Sequence, residues 1–154
     1  MIKYRTLECS KKKYTMKRTA TAHWTGTLKE GQGSLTAPSG ILKNTPYSFK
    51  TRFGEGVQGT NPEELLAAAH AGCFTMAVSS MLSAKGLNPT ALDTEATVSM
   101  EGPKITAVHL SITGSVPGIK ADEFIAVTKE AEKNCLISKI LNIPITSEAR
   151  FNPA

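Results

Sequence analysis

From Asn61 to Gly86 the chain spells out one long helix and leaves its middle without charge. Asn61 is placed to cap the N-terminus, Pro62 suits the first helical position, and Glu63 and Glu64 fall in the first turn, where the helix dipole favours carboxylates. Lys85 and Gly86 mark the end. Between residues 65 and 82 there is no Asp, Glu, Lys or Arg, and such a run has the length of a bilayer span. The composition points elsewhere. Ala, Gly, Ser and Thr dominate, no aromatic belt flanks the run, and small residues suit close packing against a sheet or another helix. A buried central helix is expected, with no membrane partner. Cys73 sits inside it.

The 154 residues suffice for one domain with a sizeable core and are too few for two ordinary ones. Three cysteines without a CxxC do not form a secreted disulfide framework, so a reducing compartment is expected. Seven basic residues against the single Glu8 break up the first 18 positions, which therefore do not resemble a signal peptide. A cytoplasmic location follows. The basic charge belongs to this tail, and nothing beyond it offers a basic face interleaved with aromatics, so nucleic-acid binding is not expected. Residues 1 to 15 read as a disordered basic extension carrying the bystander Cys9, and residues 16 to 154 as a single domain.

Ala20, Ala22 and Trp24 alternate with polar residues and predict a strand near 18 to 28. Turn residues fill 29 to 45 around one short strand. Tyr47, Phe49, Thr51 and Phe53 alternate with Ser48, Lys50 and Arg52, predicting a second strand whose polar face presents Arg52. A hairpin follows the long helix, with Ala96, Val98 and Met100 on one arm, Val108, Leu110 and Ile112 on the other, and Gly102-Pro103 between them. A helix over about 121 to 134 buries Phe124, Val127, Thr128 and Ala131. A short helix near 136 to 141 and a strand over 143 to 150 complete an α+β chain.

A cysteine deep in an apolar helix is ordinarily an inert packing residue, because burial disfavours its thiolate. Cys73 lies about 16 Å along the axis from the helix start, too far for its own dipole to activate it. Arg52 is the nearest cation in the topology, and a surface arginine is its plain reading. Glu63 and Glu64 are accounted for as first-turn carboxylates. His70, three residues before Cys73, suggests a Cys-His metal site, but Cys9, His23 and His109 show no ligand spacing. Cys135, just past the second long helix, can meet Cys73 only through the tertiary fold. Two such thiols are the parts of a redox cycle.

Ala22-His23-Trp24, the run Pro46 to Phe53, the run Thr60 to Phe74, Val116-Pro117-Gly118-Ile119 and the Cys135 segment together resemble the OsmC type of the OsmC/Ohr family. These are osmotically inducible thiol-dependent peroxidases, and the likeness runs from about residue 17 to 151. Leu136 stands where a proline often follows the second cysteine, and Lys120 replaces an acidic residue at a helix start. The resemblance implies an OsmC-like fold, with antiparallel sheets around long central helices in an intertwined homodimer whose active sites lie at the subunit interface. It makes Cys73 the peroxidatic thiolate, Cys135 the resolving thiol, Arg52 the residue that holds thiolate and peroxide, and Glu63 the carboxylate that positions Arg52.

It further implies an organic hydroperoxide substrate, with hydrogen peroxide used less well, and an external dithiol as reductant, such as a lipoyl-bearing protein. No cofactor and no metal are implied. Phe74, Met76 and Met81 would line an apolar substrate pocket, unless they are simply core. Glu63 stands about 15 Å of helix rise from Cys73, so the partner's chain is expected to bring its own copy to the thiol. A redox sensor or small-molecule-binding module on the same fold is the alternative.

Overall fold

The computed structural model describes residues 15–54 and 56–152. Residues 1 to 14 of the expected extension, Cys9 among them, lie outside the described residues. Strands β1 (Thr21–Thr25), β2 (Gln32–Thr36) and β3 (Thr45–Tyr47) form an antiparallel sheet in chain order. Gly33 of β2 lies opposite both Trp24 and Tyr47, whose rings meet over it at 5.3 Å. A β-carbon at Gly33 would run into both rings, so glycine is required there.

The alternation over 47 to 53 does not continue as a strand. Backbone pairing stops at Tyr47, and Phe49–Phe53 is a short helix, α1. Ser48 and Thr51 close a reciprocal capping box, with Thr51 N–H donating to Ser48 Oγ at 3.1 Å and Ser48 N–H to Thr51 Oγ1 at 2.8 Å. Phe49 and Phe53, four apart, then stack at 4.8 Å on one helical face. Arg52 therefore projects from a helix.

Helix α2 (Pro62–Ala84) starts as its sequence dictates, with Glu64 N–H donating to the Asn61 side chain at 2.8 Å. Lys85 caps its end and Gly86 takes a positive φ of 75°. Only one stripe is buried, His70, Phe74, Val78 and Leu82, each four residues from the last. The helix is thus long and apolar enough to cross a membrane, yet that stripe is a core face, and within the chain the rest of its surface is half-buried or open.

The stripe packs on a second sheet, β4 (Ala91–Glu101), β5 (Lys104–Ser115) and β6 (Ile145–Phe151). β4 and β5 pair antiparallel across the predicted Gly102-Pro103 turn, whereas β6 runs parallel to β5, so this sheet is mixed. Val108, Leu110 and Ile112 of β5 meet Phe124, Val127 and Ala131 of helix α3 (Ala121–Asn134) and the α2 stripe in one core. Gly114 leaves room for the Phe124 ring, which a β-carbon would overlap. Lys120 begins α3 without any side-chain cap bond. Helix α4 (Leu136–Ile140) follows α3 at Cys135 and lies against both α2 and α3. The first sheet is joined to the rest chiefly through Thr60, by a bridge to Tyr47 and a 2.8 Å bond from Thr51 Oγ1. It packs on neither α2 nor the second sheet to any comparable extent.

Candidate active site

Cys135 closes one helix and opens the next. Its N–H donates to Ala131 O at 2.8 Å, ending α3, and its carbonyl accepts from Lys139 N–H at 3.1 Å, starting α4. The sharp change of direction turns the first N–H groups of α4 toward α2, where Cys73 sits half-buried. Both cysteines are free thiols, and each bears on the acidity of the other. Burial pushes the Cys73 thiol up, but the N–H of Ile137, the Cys135 thiol and the N–H of Leu136 all donate to its sulfur, and together they hold it below the usual thiol range. Cys135 moves the opposite way. Burial raises it, and giving its proton to Cys73 raises it further, against donation from Ser138 and Ile137. Cys73 is the more acidic of the two sulfurs.

Arg52 and Glu63 form a second constellation. Arg52 Nε lies 3.1 and 3.0 Å from the two carboxylate oxygens of Glu63, and its Nη2 also bonds Oε1, a bidentate grip across the loop that follows α1. The guanidinium stacks 5.2 Å from the Phe53 ring centre. Burial raises the Glu63 carboxyl, but Arg52 outweighs it, and the group rests below the usual carboxylate range. Glu63 is 12% exposed and Arg52 38%, so the pair offers an open guanidinium held in a fixed orientation. Neither residue bonds Cys73 within the chain. His70 is fully buried with its Nε2 2.8 Å from Ser138 Oγ of α4.

The OsmC family model, described as OsmC-like protein, matches residues 54–149, and the peroxiredoxin OsmC of Escherichia coli (strain K12) is 45% identical over 136 residues, covering 86% of this chain and 94% of that protein. The chain belongs to the OsmC-like family. Solved structures agree on the fold. An OsmC-like protein from Mycoplasma pneumoniae superposes with a TM-score of 0.70 at 16% identity, over 90% of this chain and 99% of that one. The organic hydroperoxide resistance protein OhrB of Bacillus subtilis gives 0.62 at 20% identity, over 87% and 98%.

Of the four predicted site residues, this OsmC-like chain brings together Cys73 with Cys135 and Arg52 with Glu63. It does not join the two pairs. The expected pocket liners also separate, since Phe74 is core, Met76 is 74% exposed and Met81 is half-buried. No group of three His, Cys, Asp or Glu among the described residues is placed to hold a metal ion. The activating N–H groups of Leu136 and Ile137 escaped the sequence reading. The helix start immediately after Cys135 was the available signal, because the first amides of a helix lack partners of their own.

Proposed function

We propose that this chain is a thiol-dependent peroxidase that reduces organic hydroperoxides to alcohols, and hydrogen peroxide less readily. The observation that carries the reading is the pair of free cysteines with opposite shifts, Cys73 made more acidic and Cys135 less so. The Cys73 thiolate attacks the terminal peroxide oxygen, the O–O pair leaves as alkoxide and is protonated to the alcohol, and Cys73 becomes a sulfenic acid. The Cys135 sulfur then attacks Cys73, displacing water and forming a disulfide. An external dithiol restores both thiols by exchange, its own sulfurs ending as a disulfide. A reducing cytoplasm suits a cycle that must begin from two free thiols.

Arg52 and Glu63 act on this chemistry from the partner subunit of a homodimer. Three features support that arrangement: the first sheet lacks a packing layer among the described residues, α2 leaves Met76 open, and Glu63 stands ten residues, about 15 Å of helix rise, from Cys73. If two α2 helices cross antiparallel near residue 68, each Arg52–Glu63 pair reaches the other chain's thiolate. Arg52 there stabilises the thiolate and the departing oxygen, because a guanidinium keeps its charge in an apolar site.

The test is a steady-state assay of the reduced protein with cumene hydroperoxide and hydrogen peroxide, using lipoyl and monothiol reductants in parallel. Multiple turnover with cumene hydroperoxide and a dithiol is expected. Oxidation of Cys73 without turnover under every reductant would instead mark a sensor.

A further inference from the structure

His70 is fully buried one turn before Cys73, and the peroxidase chemistry above makes no use of it. Its Nε2 lies 2.8 Å from Ser138 Oγ, while its Nδ1 has no hydrogen-bond partner among the described residues. Ser138 stands three residues beyond Cys135, whose acidity its hydroxyl and N–H favour. Cys135 in turn meets Cys73. His70 thus ties α2, three residues before Cys73, to α4, three residues after Cys135.

Chemistry fixes their direction. A thiolate only accepts, so Cys135 must give Cys73 its S–H. The Cys135 sulfur is then free to accept from the Ser138 hydroxyl, and Ser138 Oγ to accept from His70 Nε2–H. That tautomer leaves Nδ1 as a bare lone pair, which a core tolerates unpaired more readily than an N–H. Burial disfavours the charged imidazole, in keeping with that tautomer.

We infer that His70 and Ser138 are positioning residues for the two sulfurs, forming with Cys135 a relay of donors that ends on the Cys73 thiolate. The inference rests on the peroxidase reading. Before reaction the relay strengthens the thiolate, since each donor polarises the next. After Cys73 becomes a sulfenic acid, the Cys135 electron pair forms the S–S bond and the S–O pair leaves as hydroxide, which takes the Cys135 proton to become water. Ser138, held by His70, still donates to the Cys135 sulfur while it carries the developing charge. The nearby charged groups do not replace it. Glu132 and Lys133 of α3, Lys139 of α4 and Glu63 and Glu64 at the far end of α2 are not among the groups bonded to either sulfur, and Glu132 lies 3.5 Å from Lys129.

Four variants test this: Ser138→Ala, Ser138→Thr, His70→Leu and His70→Gln. Thr keeps the hydroxyl, and Gln keeps an N–H at about the depth of Nε2. Thiolate absorbance of the reduced protein is titrated against pH, and disulfide closure after one equivalent of cumene hydroperoxide is timed by quenched mass spectrometry. Ser138→Ala and His70→Leu are expected to move the Cys73 midpoint upward and to slow closure roughly tenfold, about the worth of one hydrogen bond in the relay. Ser138→Thr and His70→Gln should recover most of both. If His70→Leu does not fold, the Ser138 pair decides alone. An unchanged midpoint and closure rate in Ser138→Ala, or equal losses in Ser138→Ala and Ser138→Thr, overturns the inference. A wild-type protein that leaves hydroperoxide intact refutes the peroxidase reading instead, while the titration still measures the relay.

Discussion

Each sulfur is defined by who donates to whom. Because the folded Cys73 thiol is more acidic than the unfolded one, its thiolate stabilises the fold above the unfolded value, and this is lost as pH falls through the folded value. Consumption of the first equivalent of hydroperoxide should follow the same curve, full above the lowered Cys73 midpoint and falling below it. Cys135→Ala removes a donor and should shift that curve to higher pH, whereas Cys135→Ser keeps a hydroxyl and should stay nearer the wild type, with both variants trapping Cys73 as a sulfenic acid. Single-turnover peroxide consumption against pH distinguishes them, and identical curves for all three proteins would leave Cys135 with resolution as its only role. Arg52→Lys keeps the charge but loses the fork that grips both Glu63 oxygens. Its kcat/KM should fall at least tenfold, about the worth of a charged bidentate contact, while thermal stability changes little. Turnover equal to that of the wild type would return Arg52 to the plain surface residue it resembles.

Of the two short helices at element boundaries, α4 was open to view as a helix near 136 to 141, whereas α1, which carries Arg52, was not. The long helix could be read end to end because Asn61, Pro62, Glu63 and Gly86 are strong local signals and no competing pattern overlaps them. The β4–β5 hairpin and the buried face of α3 were equally open to view through their periods of 2 and 3.6. At 47 to 53 two signals conflict. The alternating aromatics favour a strand, while Ser48 and Thr51 at capping-box spacing, with Phe49 and Phe53 four apart, favour a helical turn, and the cap prevails because it satisfies two backbone donors at once. The parallel placement of β6 is a tertiary fact with no local signature. Both cysteines were legible through the family resemblance, but which groups activate Cys73 depends on α4 folding back over α2. Ser48→Ala tests the value of the α1 cap. It should cost about 1 kcal/mol locally and lower kcat/KM several-fold by loosening Arg52, with Ser48→Thr restoring most of it. Thermal melts and peroxidase assays on the same samples separate the two effects, and activity that survives the lost cap would show that Arg52 is held by Glu63 alone.

At the scale of the whole molecule, the proposed dimer would build each site from two chains. Its sulfur pair lies midway along α2 under α4, its Arg52–Glu63 pair lies at the start of α2, and the ten residues between Glu63 and Cys73 span about 15 Å of helix rise. A two-fold axis near residue 68 would convert that separation into proximity, because antiparallel helices crossing there would set the beginning of one beside the middle of the other. The same crossing would cover the open side of α2 and give the first sheet a surface to pack against. Mixing inactive chains tests the geometry directly. Cys73→Ser and Glu63→Ala proteins, each shown to be nearly inactive, are unfolded, combined in equal amounts and refolded. In a heterodimer with shared sites, the Cys73 of one chain meets the Glu63 of the other and one intact centre forms, while both substitutions fall together in the second centre. Half of randomly paired dimers are mixed and each has one working centre of two, so about a quarter of wild-type activity should return. Sites contained within single chains would recover none, and that result, with mixed dimers demonstrated by native mass spectrometry, would remove the shared site.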